Sequence, residues 1–411
     1  MGRSVDEHAR AVAEAVRRAA DRRAQDAPAR RVVAPDLAGR LAEPAPSALD
    51  VPGFDNSQMD GFAVHSADLA AAGSTPVALP TVAHVVAGGG APAPLAPGTV
   101  APIMTGAPIP PGADAVVPVE RTRPGDFGPV EGGGLVEFAE PVAPGTFVRR
   151  RGSDIRAGEP VLAAGAPLHA AAVGALAAAG VGTVSVAPPL RIAVVGTGTE
   201  VVSGDVPDSN SRALLAHAHE LGLGLGLAAT AHVVPDEPPA LRRLLDRLAG
   251  DHDLVVTTGG VSAGTREVVR QVLSETPGAW FGHVDVQPGG PQGLASVVAG
   301  DREVPVVCLP GNPVSVLVSF ELFVRPPLAT AAGRVGWRPS GTSVLAEPLS
   351  SPEGRLQVRR GRLDEDGRVR LVGEAGSHLV AAYARADLLV FVPEDVTALS
   401  PGDSVEWWRI A

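Results

Sequence analysis

From residue 190 onward the sequence repeats one pattern, in which an apolar, β-branched run is followed by a glycine-rich turn and a helical segment. The three junctions read RIAVVGTGTEV, DLVVTTGGVSAGTREVVRQVL and VPVVCLPGNPVSVLVSFELF. Continuous apolar strands that alternate with helices are typical of a parallel sheet covered on both faces. The pattern therefore predicts an α/β domain, and ligands in such sheets bind at the carboxyl ends of the strands, where these turns lie.

Two of the glycine-rich turns carry polar groups as well. GGVSAG places the Ser262 hydroxyl and two glycines just before a helix, and PGNPVS does the same with Asn312 and Ser315. A single such turn is explained by backbone geometry alone. Free N–H groups at helix starts attract anions, and glycine permits close approach. Two such turns from one sheet favour a phosphorylated or otherwise anionic ligand.

The remainder of the chain reads differently. Ser4 and Glu7 form a capping-box pattern at the start of an amphipathic helix. Residues 49–147 contain short Val-rich runs separated by Gly/Pro-rich stretches, which predict a small β domain with few helices. Short alternating segments return after residue 332 and predict a second small β domain.

Composition excludes several classes of function. The chain has 411 residues and a net charge of -11, which argues against nucleic acid or an anionic membrane as a general partner. All 34 basic residues are arginine, so a phosphate-loop lysine, a Schiff base and a lysine general base are excluded. Cys308 is the single cysteine and is expected to be a buried apolar residue.

Membrane and secretory segments are not predicted. The charged stretch at the start of the sequence lacks the apolar core of a signal peptide, so we expect a cytoplasmic protein. The uncharged run from Ala170 to Leu190 is rich in Ala and Gly, and it predicts a packed helix and strand rather than a membrane span.

One polar stretch in the β-rich region is a candidate for part of a functional site. PGFDNSQMDGFAV, residues 52–64, places two carboxylates, an amide and a hydroxyl in six positions. Asp, Asn and Ser favour loops because they hydrogen-bond their own backbone, so a surface turn explains the stretch as well as a site does.

Five motifs in a fixed order indicate a family. FDNSQMDGFAV, IMTGAPIPPGADAVV, RRRGSDIRAGE, TTGGVSAG and CLPGNPVS make this sequence similar to the molybdopterin molybdenumtransferases, over nearly its whole length. That family includes the bacterial molybdenum-insertion enzymes and the C-terminal domain of gephyrin. The resemblance implies an enzyme that takes adenylylated molybdopterin, inserts molybdate at the dithiolene and releases AMP with the help of Mg²⁺.

The resemblance also implies an architecture. It predicts an elongated α/β multidomain homodimer whose central α/β domain, residues 188–332, has a mostly parallel sheet and binds molybdopterin. Residues 1–48 and 148–187 would form a discontinuous helical and extended linking domain, residues 49–147 a small β-rich domain, and residues 333–411 a C-terminal β domain. Molybdopterin adenylyltransferase is a candidate partner.

Site residues follow from the same motifs. Asp60 would lie in the dimer's active-site cleft, with Arg149–Arg151 nearby and with Asp55, Asn56 and Ser57 shaping its loop. The implied catalytic residues are Asp60, Thr105, Asp154, Glu200 and Glu267. Of these, Asp60, Glu200 and Glu267 are candidate Mg²⁺ ligands, because Mg²⁺ prefers oxygen. The implied pterin-binding residues are Ser57, Gly259, Gly260, Ser262, Gly264, Pro310, Gly311, Asn312 and Ser315.

The sequence departs from the family pattern at four positions. Thr199 replaces an aspartate in GTGTE, Glu267 replaces an aspartate after GGVSAG, and Gln287 and Gly290 stand where lysines are typical. The positive charge for an anion would then come from His283, Arg266 or the arginine run. Two main hypotheses remain open: an active insertase with a redistributed anion site, and a catalytically weakened homologue that binds a pterin or a partner protein without inserting metal. A third, weaker alternative is an insertase relative that has changed its ligand.

Overall fold

The computed structural model describes residues 2–37, 39–82, 84–86, 88, 90–127, 133–222, 227–262, 264, 267–334 and 336–411. The chain forms two compact units. The large unit comprises Met1–Glu43, Ala164–Ala170 and Ser185–Ala411, and the small unit comprises Pro44–Ala163 and Ala171–Val184.

A six-stranded sheet forms the centre of the large unit. Its strands, in spatial order, are β14 (Leu227–Val234), β13 (Leu190–Thr197), β15 (Leu254–Thr258), β19 (Arg302–Leu309), β18 (Pro291–Ala299) and β16 (Trp280–His283). The first four are parallel, whereas the last two are antiparallel to their neighbours. Only a tight turn at Gly300, with φ +61°, separates β18 from β19, and two strands joined so closely pair antiparallel.

Helices cover both faces of this sheet. They are α1 (Val5–Arg23), α3 (Thr199–Ser203), α4 (Ser209–Gly222), α5 (Pro238–Asp251), α6 (Val268–Leu273), α7 (Pro313–Ser319) and α8 (Arg325–Ala331). The predicted capping box of α1 is present, because Glu7 N–H donates to Ser4 Oγ and Ser4 N–H donates to Glu7 Oε2. The buried stripe of Val12, Val16 and Ala19 joins the core on one face, and α5 and α6 pack on the other.

A single apolar helix, Pro313–Ala331, contains α7, a π-helical turn at Phe320–Val324, and α8. Pro326 and Pro327 lack N–H groups and crowd the carbonyls one turn earlier, which breaks the regular hydrogen-bond ladder here. Among the described residues this helix alone is long and apolar enough to cross a membrane, but it is 78% buried inside the fold. It is therefore a core helix.

A second sheet of the large unit is built mainly from the end of the chain. Its spatial order is β17 (Val286–Gln287), β22 (Leu356–Leu363), β24 (Leu388–Val392), β26 (Ser404–Arg409) and β20 (Ser340–Val344), with β23 (Val369–Leu371) on β22. The strands β21 (Leu349–Ser350) and β25 (Ala398–Leu399) form a separate two-stranded sheet, and the helix α9 (Val380–Ala384) precedes β24. Because β17 pairs with β22, the loop that follows β16 is tied to the C-terminal sheet.

The small unit consists of short strands, as the Gly/Pro-rich sequence predicts. Two three-stranded sheets have the orders β6 (Ala101–Ile103), β4 (Gly61–Val64), β7 (Ala115–Pro118) and β5 (Val77–Pro80), β9 (Leu135–Phe138), β8 (Thr122–Arg123). Further pairs join β10 (Val148–Arg149) to β3 (Asn56–Ser57), and β11 (Pro160–Leu162) to β2 (Ala45–Pro46). Further described elements are β1 (Ala29–Val32), α2 (Ala170–Ala178), β12 (Thr183–Val186) and the 3-10 helices at Ser66–Leu69 and Val119–Arg121.

Candidate active site

A cavity of about 410 Å³ lies at the carboxyl ends of four neighbouring strands in the large unit. The turns after β13, β14, β15 and β19 contribute Gly198, Asp236, Gly259 and Gly311 to its wall. The sequence pattern predicts a ligand site at these strand ends, and the structure brings the three predicted glycine-rich turns together there.

Glycine is required at two of these positions. Gly259 and Gly260 have φ values of +90° and +67°, a conformation that side chains disfavour. A Cβ on Gly259 would lie 2.7 Å from Thr197 Oγ1, and one on Gly260 would lie 2.9 Å from the backbone nitrogen of Val269. The turn after β15 is therefore fixed close to its neighbours, and only backbone faces the cavity at these residues.

Glu267 is held by the loop that precedes it. Ser262 N–H donates to Glu267 Oε2 at 3.0 Å, and a Cβ on Gly264 would lie 2.8 Å from Glu267 Oε1. The GGVSAG turn thus positions a carboxylate at the cavity wall. Arg266, considered above as a source of positive charge, lies outside the described residues.

Four carboxylates line the cavity: Glu200, Asp208, Asp236 and Glu267. Thr199 does not leave a gap, because Thr199 N–H donates to Asp236 Oδ2 and Asp236 N–H donates to Thr199 Oγ1, both at 3.3 Å. None of the described residues that line the cavity is basic. The cavity therefore suits a hard cation better than a bare anion, contrary to what the glycine-rich turns alone indicate.

The PGNPVS turn divides its residues between two environments. Asn210 Nδ2 donates to Thr258 Oγ1 and to the Gly311 carbonyl, at 2.9 and 2.8 Å, which joins two turns of the wall. Asn312 lines the cavity and donates to Ser377 Oγ at 3.0 Å. Ser315 is different, since it is buried in the first turn of α7 and does not line the cavity. Pro310 holds the turn through its carbonyl, which accepts from Gly259 N–H at 3.3 Å.

Gly290 lies in the loop between β16 and β18, and its neighbour His283 explains why a glycine stands there. A Cβ on Gly290 would overlap Cε1 and Nε2 of the His283 ring. The imidazole therefore occupies the space into which a lysine at residue 290 would extend. Nearby, Gln287 Oε1 accepts from Gln357 Nε2 at 3.0 Å, so Gln287 links the loop to β22.

Two arginines on β22, buried Arg360 and half-buried Arg359, are not among the site residues predicted from the sequence. Arg360 is 1% exposed, and its two hydrogen bonds, from Nε to the Val372 carbonyl and from Nη1 to the Gly376 carbonyl, are 3.5 Å long. Within the described part of the chain, Arg360 Nη2 and Arg359 Nε are buried donors without a hydrogen-bond partner. Burial lowers the pKa of both guanidinium groups. Gly376, which accepts from Arg360, precedes Ser377, and Ser377 contacts Asn312, so the Arg360 side chain lies near the PGNPVS turn.

In the small unit, Asp60 is hydrogen-bonded to Thr105. Thr105 N–H and Oγ1 donate to Asp60 Oδ1 at 2.6 and 2.8 Å. Both hydrogen bonds hold the pKa of Asp60 below its usual value, and the backbone bond has the larger effect. An exposed carboxylate is thereby kept ionised. Ser57 is buried, and its hydroxyl donates to the Met59 carbonyl, so it shapes the loop.

The arginine run is largely engaged by carboxylates of its own unit. Arg150 Nη1 lies 2.7 Å from Asp55 Oδ2, and Arg151 Nε lies 2.5 Å from Asp50 Oδ2. Asp55 also accepts from Arg151 N–H, so it fixes the run rather than a ligand. Asp154 is exposed, and its backbone N–H donates to the Val51 carbonyl.

A signal in the sequence could have found some of the missed residues. Asp236 lies in the turn just after strand β14, as the predicted glycine-rich turns lie just after their strands. Asp208 and Asn210 lie on either side of Ser209, the first residue of α4. Arg359 and Arg360 carry no such signal, because an arginine pair in a short strand normally indicates an exposed face.

Three family models match consecutive parts of this chain. Residues 3–180 match the family described as the MoeA N-terminal region (domain I and II), residues 193–330 match the probable molybdopterin binding domain, and residues 342–410 match the MoeA C-terminal region (domain IV). Molybdopterin molybdenumtransferase 2 of Mycobacterium tuberculosis is 39% identical, over 99% of this chain and 100% of the relative. Molybdopterin molybdenumtransferase of Synechococcus elongatus is 34% identical, over 89% of this chain and 90% of the relative.

A solved structure has the same fold over the whole chain. The molybdopterin biosynthesis moeA protein from Pyrococcus horikoshii superposes with a TM-score of 0.74 at 28% identity, covering 100% of both chains. Fold and cavity together define a multidomain α/β protein of the molybdopterin-binding class. The chain belongs to the MoeA family of molybdopterin molybdenumtransferases, which confirms the resemblance inferred from its five motifs.

Proposed function

We propose that this protein is a molybdopterin molybdenumtransferase, which inserts molybdate into adenylylated molybdopterin and releases AMP. The observation that carries the proposal is the acidic cavity, which the GTGTE, GGVSAG and PGNPVS turns build at the strand ends. Relatives that are 34–39% identical, matched over 90–100% of their length, bear this enzyme name.

Mg²⁺ fits the donor set on chemical grounds. Glu200 and Glu267 present carboxylate oxygens at a cavity whose described lining residues include no basic one, and the exposed carboxylate of Asp60 is kept ionised by Thr105. No cluster of three His, Cys, Asp or Glu residues within the described ranges could hold a metal by itself. Mg²⁺ usually keeps several waters and takes further ligands from substrate phosphates, so one or two carboxylates are enough. When bound, Mg²⁺ would polarise the phosphoanhydride of the substrate.

The pterin substrate would be bound through backbone and small polar groups. Gly259, Gly260 and Gly311 leave the wall open for close approach, and Asn312 adds an amide. Ser262, Gly264 and Pro310 would act by holding these turns in place. Buried Ser315 and Ser57 would support the turn and the loop that contain them. Thr105 would position Asp60, and exposed Asp154 would add a further carboxylate.

Positive charge for an oxyanion would come from residues other than lysine. His283 fills the space beside Gly290, and Arg359 and Arg360 present buried N–H donors that lack partners among the described residues. Arg360 is buried and forms no ion pair with a carboxylate among the described residues. A buried guanidinium of this kind is costly unless an anion binds it, which supports a role for Arg360 in binding molybdate or phosphate. We therefore favour an active insertase with a redistributed anion site.

The finer expectations from the family complete the proposal. The protein would be a cytoplasmic, elongated homodimer with a linking domain (1–48 and 148–187), a β-rich domain (49–147), a molybdopterin-binding domain (188–332) and a C-terminal domain (333–411). Molybdopterin adenylyltransferase would supply its substrate as a partner.

The test is an assay with adenylylated molybdopterin, Mg²⁺ and molybdate that measures AMP and finished cofactor separately. Asp60→Asn and Glu267→Gln are nearly isosteric and should lower AMP release by at least about tenfold, since each removes a charge that contacts the metal or its waters. Asp246→Asn is the matched control, because Asp246 is an exposed residue of α5 that pairs with Arg242. Undiminished activity in both site variants would refute these roles. AMP release by the wild type without finished cofactor would instead indicate a weakened homologue.

A further inference from the structure

The large unit contains a second cavity, of about 510 Å³, which shares no lining residue with the acidic one. It lies between α1 and α8, and the chain segments 40–42 and 187–190 close its remaining sides. A concave space of this size is typical of sites for small molecules.

The walls of this cavity are apolar and close together. Ala13, Ala20 and Ala24 face it from α1, and Leu41, Leu190 and Ala331 complete the apolar surface. Leu41 and Leu190 are buried core residues, so the floor belongs to the rigid part of the unit. An apolar group that entered here would be removed from water on several sides.

The charges at this cavity are predominantly positive, in a chain whose net charge is -11. Arg17, Arg23 and Arg40 line it together with one carboxylate, Asp21. Arg17 pairs with Asp21 at 2.7 Å, and Arg23 pairs with Asp26 outside the cavity. Two of the three arginines are therefore already neutralised by carboxylates.

Arg40 is held in a fixed orientation without a counter-ion. Its Nε donates to the Gly165 carbonyl and its Nη1 to the Thr330 carbonyl, both at 2.9 Å. In the part of the chain that the structure describes, Arg40 forms no ion pair with any carboxylate. Carbonyl groups orient this guanidinium, and its further N–H groups can donate to a ligand. It is therefore well suited to bind a carboxylate.

We propose that this cavity binds a small amphipathic anion, with its apolar body between α1 and α8 and its carboxylate on Arg40. The apolar wall favours a ligand with an apolar body, and the unpaired guanidinium favours a ligand with a negatively charged head group. A neutral ligand of the same shape would leave Arg40 without a counter-ion and should bind more weakly.

The experiment uses the full chain with decanoate and decanol as a matched pair of probes, both below their aggregation limits. Isothermal titration should show one saturable decanoate site, with decanol weaker by at least about tenfold. 1-Anilinonaphthalene-8-sulfonate, an aromatic anion, should compete with decanoate. Arg40→Met should remove the difference between decanoate and decanol, whereas Arg10→Met, on the exposed start of α1, should leave it unchanged.

Two filling variants test the location. Ala20→Phe and Ala13→Leu should each abolish decanoate binding. Circular dichroism and the melting temperature check that each variant is folded. Ala13→Leu is the smaller change and is used if Ala20→Phe does not fold. Wild-type decanoate affinity in a folded filling variant would overturn the proposal. Equal binding of decanoate and decanol by the wild type, or no saturable binding of either anion, would overturn it too.

Discussion

At the scale of single residues, the glycine at residue 290 cannot be understood apart from His283. The ring of His283 occupies the direction that any side chain at residue 290 would take. Restoring a family-like lysine there is therefore a steric change as well as an electrostatic one. The sequence alone presents Gly290 as a lost charge, because it cannot show which neighbour fills the space.

We predict that Gly290→Lys alone destabilises the protein, by about 1 to 3 kcal/mol, because the new side chain is forced against the imidazole. Combining it with His283→Ala should recover most of that loss, since the obstructing ring is removed. Urea unfolding of the two single variants and the double variant measures the coupling. Additive losses would mean that the two residues do not compete for one space.

Arg360 gives a second prediction at this scale. Arg360→Met keeps an unbranched apolar stem and removes a buried charge that, within the described part of the chain, has two long hydrogen bonds. Stability should change little or increase, while molybdate affinity should fall by about tenfold or more. Titration calorimetry with molybdate, beside urea unfolding, separates the two effects. Unchanged molybdate affinity in a folded variant would exclude Arg360 from the anion site.

At the scale of elements, α1 carries a buried histidine that responds to acid. His8 lies between Trp280 and Phe323, with ring centroids 5.2 and 4.8 Å away, and neither of its ring nitrogens has a hydrogen-bond partner within the described ranges. Burial first, and then the nearby charge of Arg3, lowers the pKa of His8 to about 3. The folded protein therefore holds this ring neutral while the unfolded chain takes up a proton below about pH 6.5.

Stability should fall with acid because of this difference. The unfolded state binds the proton first, so the free energy of unfolding decreases from about pH 6.5 down toward pH 3, and the loss at pH 5 is about 2 kcal/mol. His8→Phe should remove that share of the loss, whereas His219→Gln, at an exposed position of α4, should not. Urea unfolding at pH 7 and pH 5 makes the comparison. An equal acid loss in His8→Phe and the wild type would contradict the assignment.

The π-helical turn before α8 places a carboxylate in the core. Glu321 is 1% exposed, and Arg338 donates to both of its oxygens, at 3.0 and 2.7 Å. Burial alone would lower the pKa of Arg338, but its hydrogen bonds to Glu321 and the negative charge of that carboxylate outweigh burial and raise it. The pair ties the long core helix to the segment that leads into β20.

Glu321→Gln should lower the free energy of unfolding by about 3 to 5 kcal/mol, because it leaves the charge of the Arg338 guanidinium less well balanced in the interior. Glu220→Gln is the matched control. Glu220 contacts the same arginine, but its side chain is 51% exposed, so its loss should cost no more than about 1 kcal/mol. Denaturant unfolding of both variants at one pH compares them. Similar losses would show that burial does not strengthen the contact with Glu321.

At the scale of the whole molecule, the sequence predicts strand ends better than interior contacts. Apolar runs and glycine turns located the cavity wall, since both depend on local spacing. The antiparallel β18–β19 hairpin, the π turn at Phe320–Val324 and the burial of Arg360 were not predictable. Each depends on which distant segment packs against it, and that information is not carried by the local pattern.

The association state belongs to this scale as well. The family resemblance predicts a homodimer, so sedimentation velocity at micromolar concentration should give a particle of twice the 41.6 kDa chain mass. The exposed apolar side chains of Phe54, Met59 and Met104 near the Asp60 loop support a surface that is covered by another chain. A purely monomeric species with full insertase activity would contradict this expectation.

The pairing of the first residues with the loop after β16 has a practical consequence. Arg3 N–H donates to the His283 carbonyl, Asp285 N–H donates to the Arg3 carbonyl, and a Cβ on Gly2 would come within 3.2 Å of the His283 carbonyl oxygen. An affinity tag fused directly to Gly2 would therefore press on the strand that presents His283. Preparations for affinity measurements should carry any purification handle at the opposite terminus.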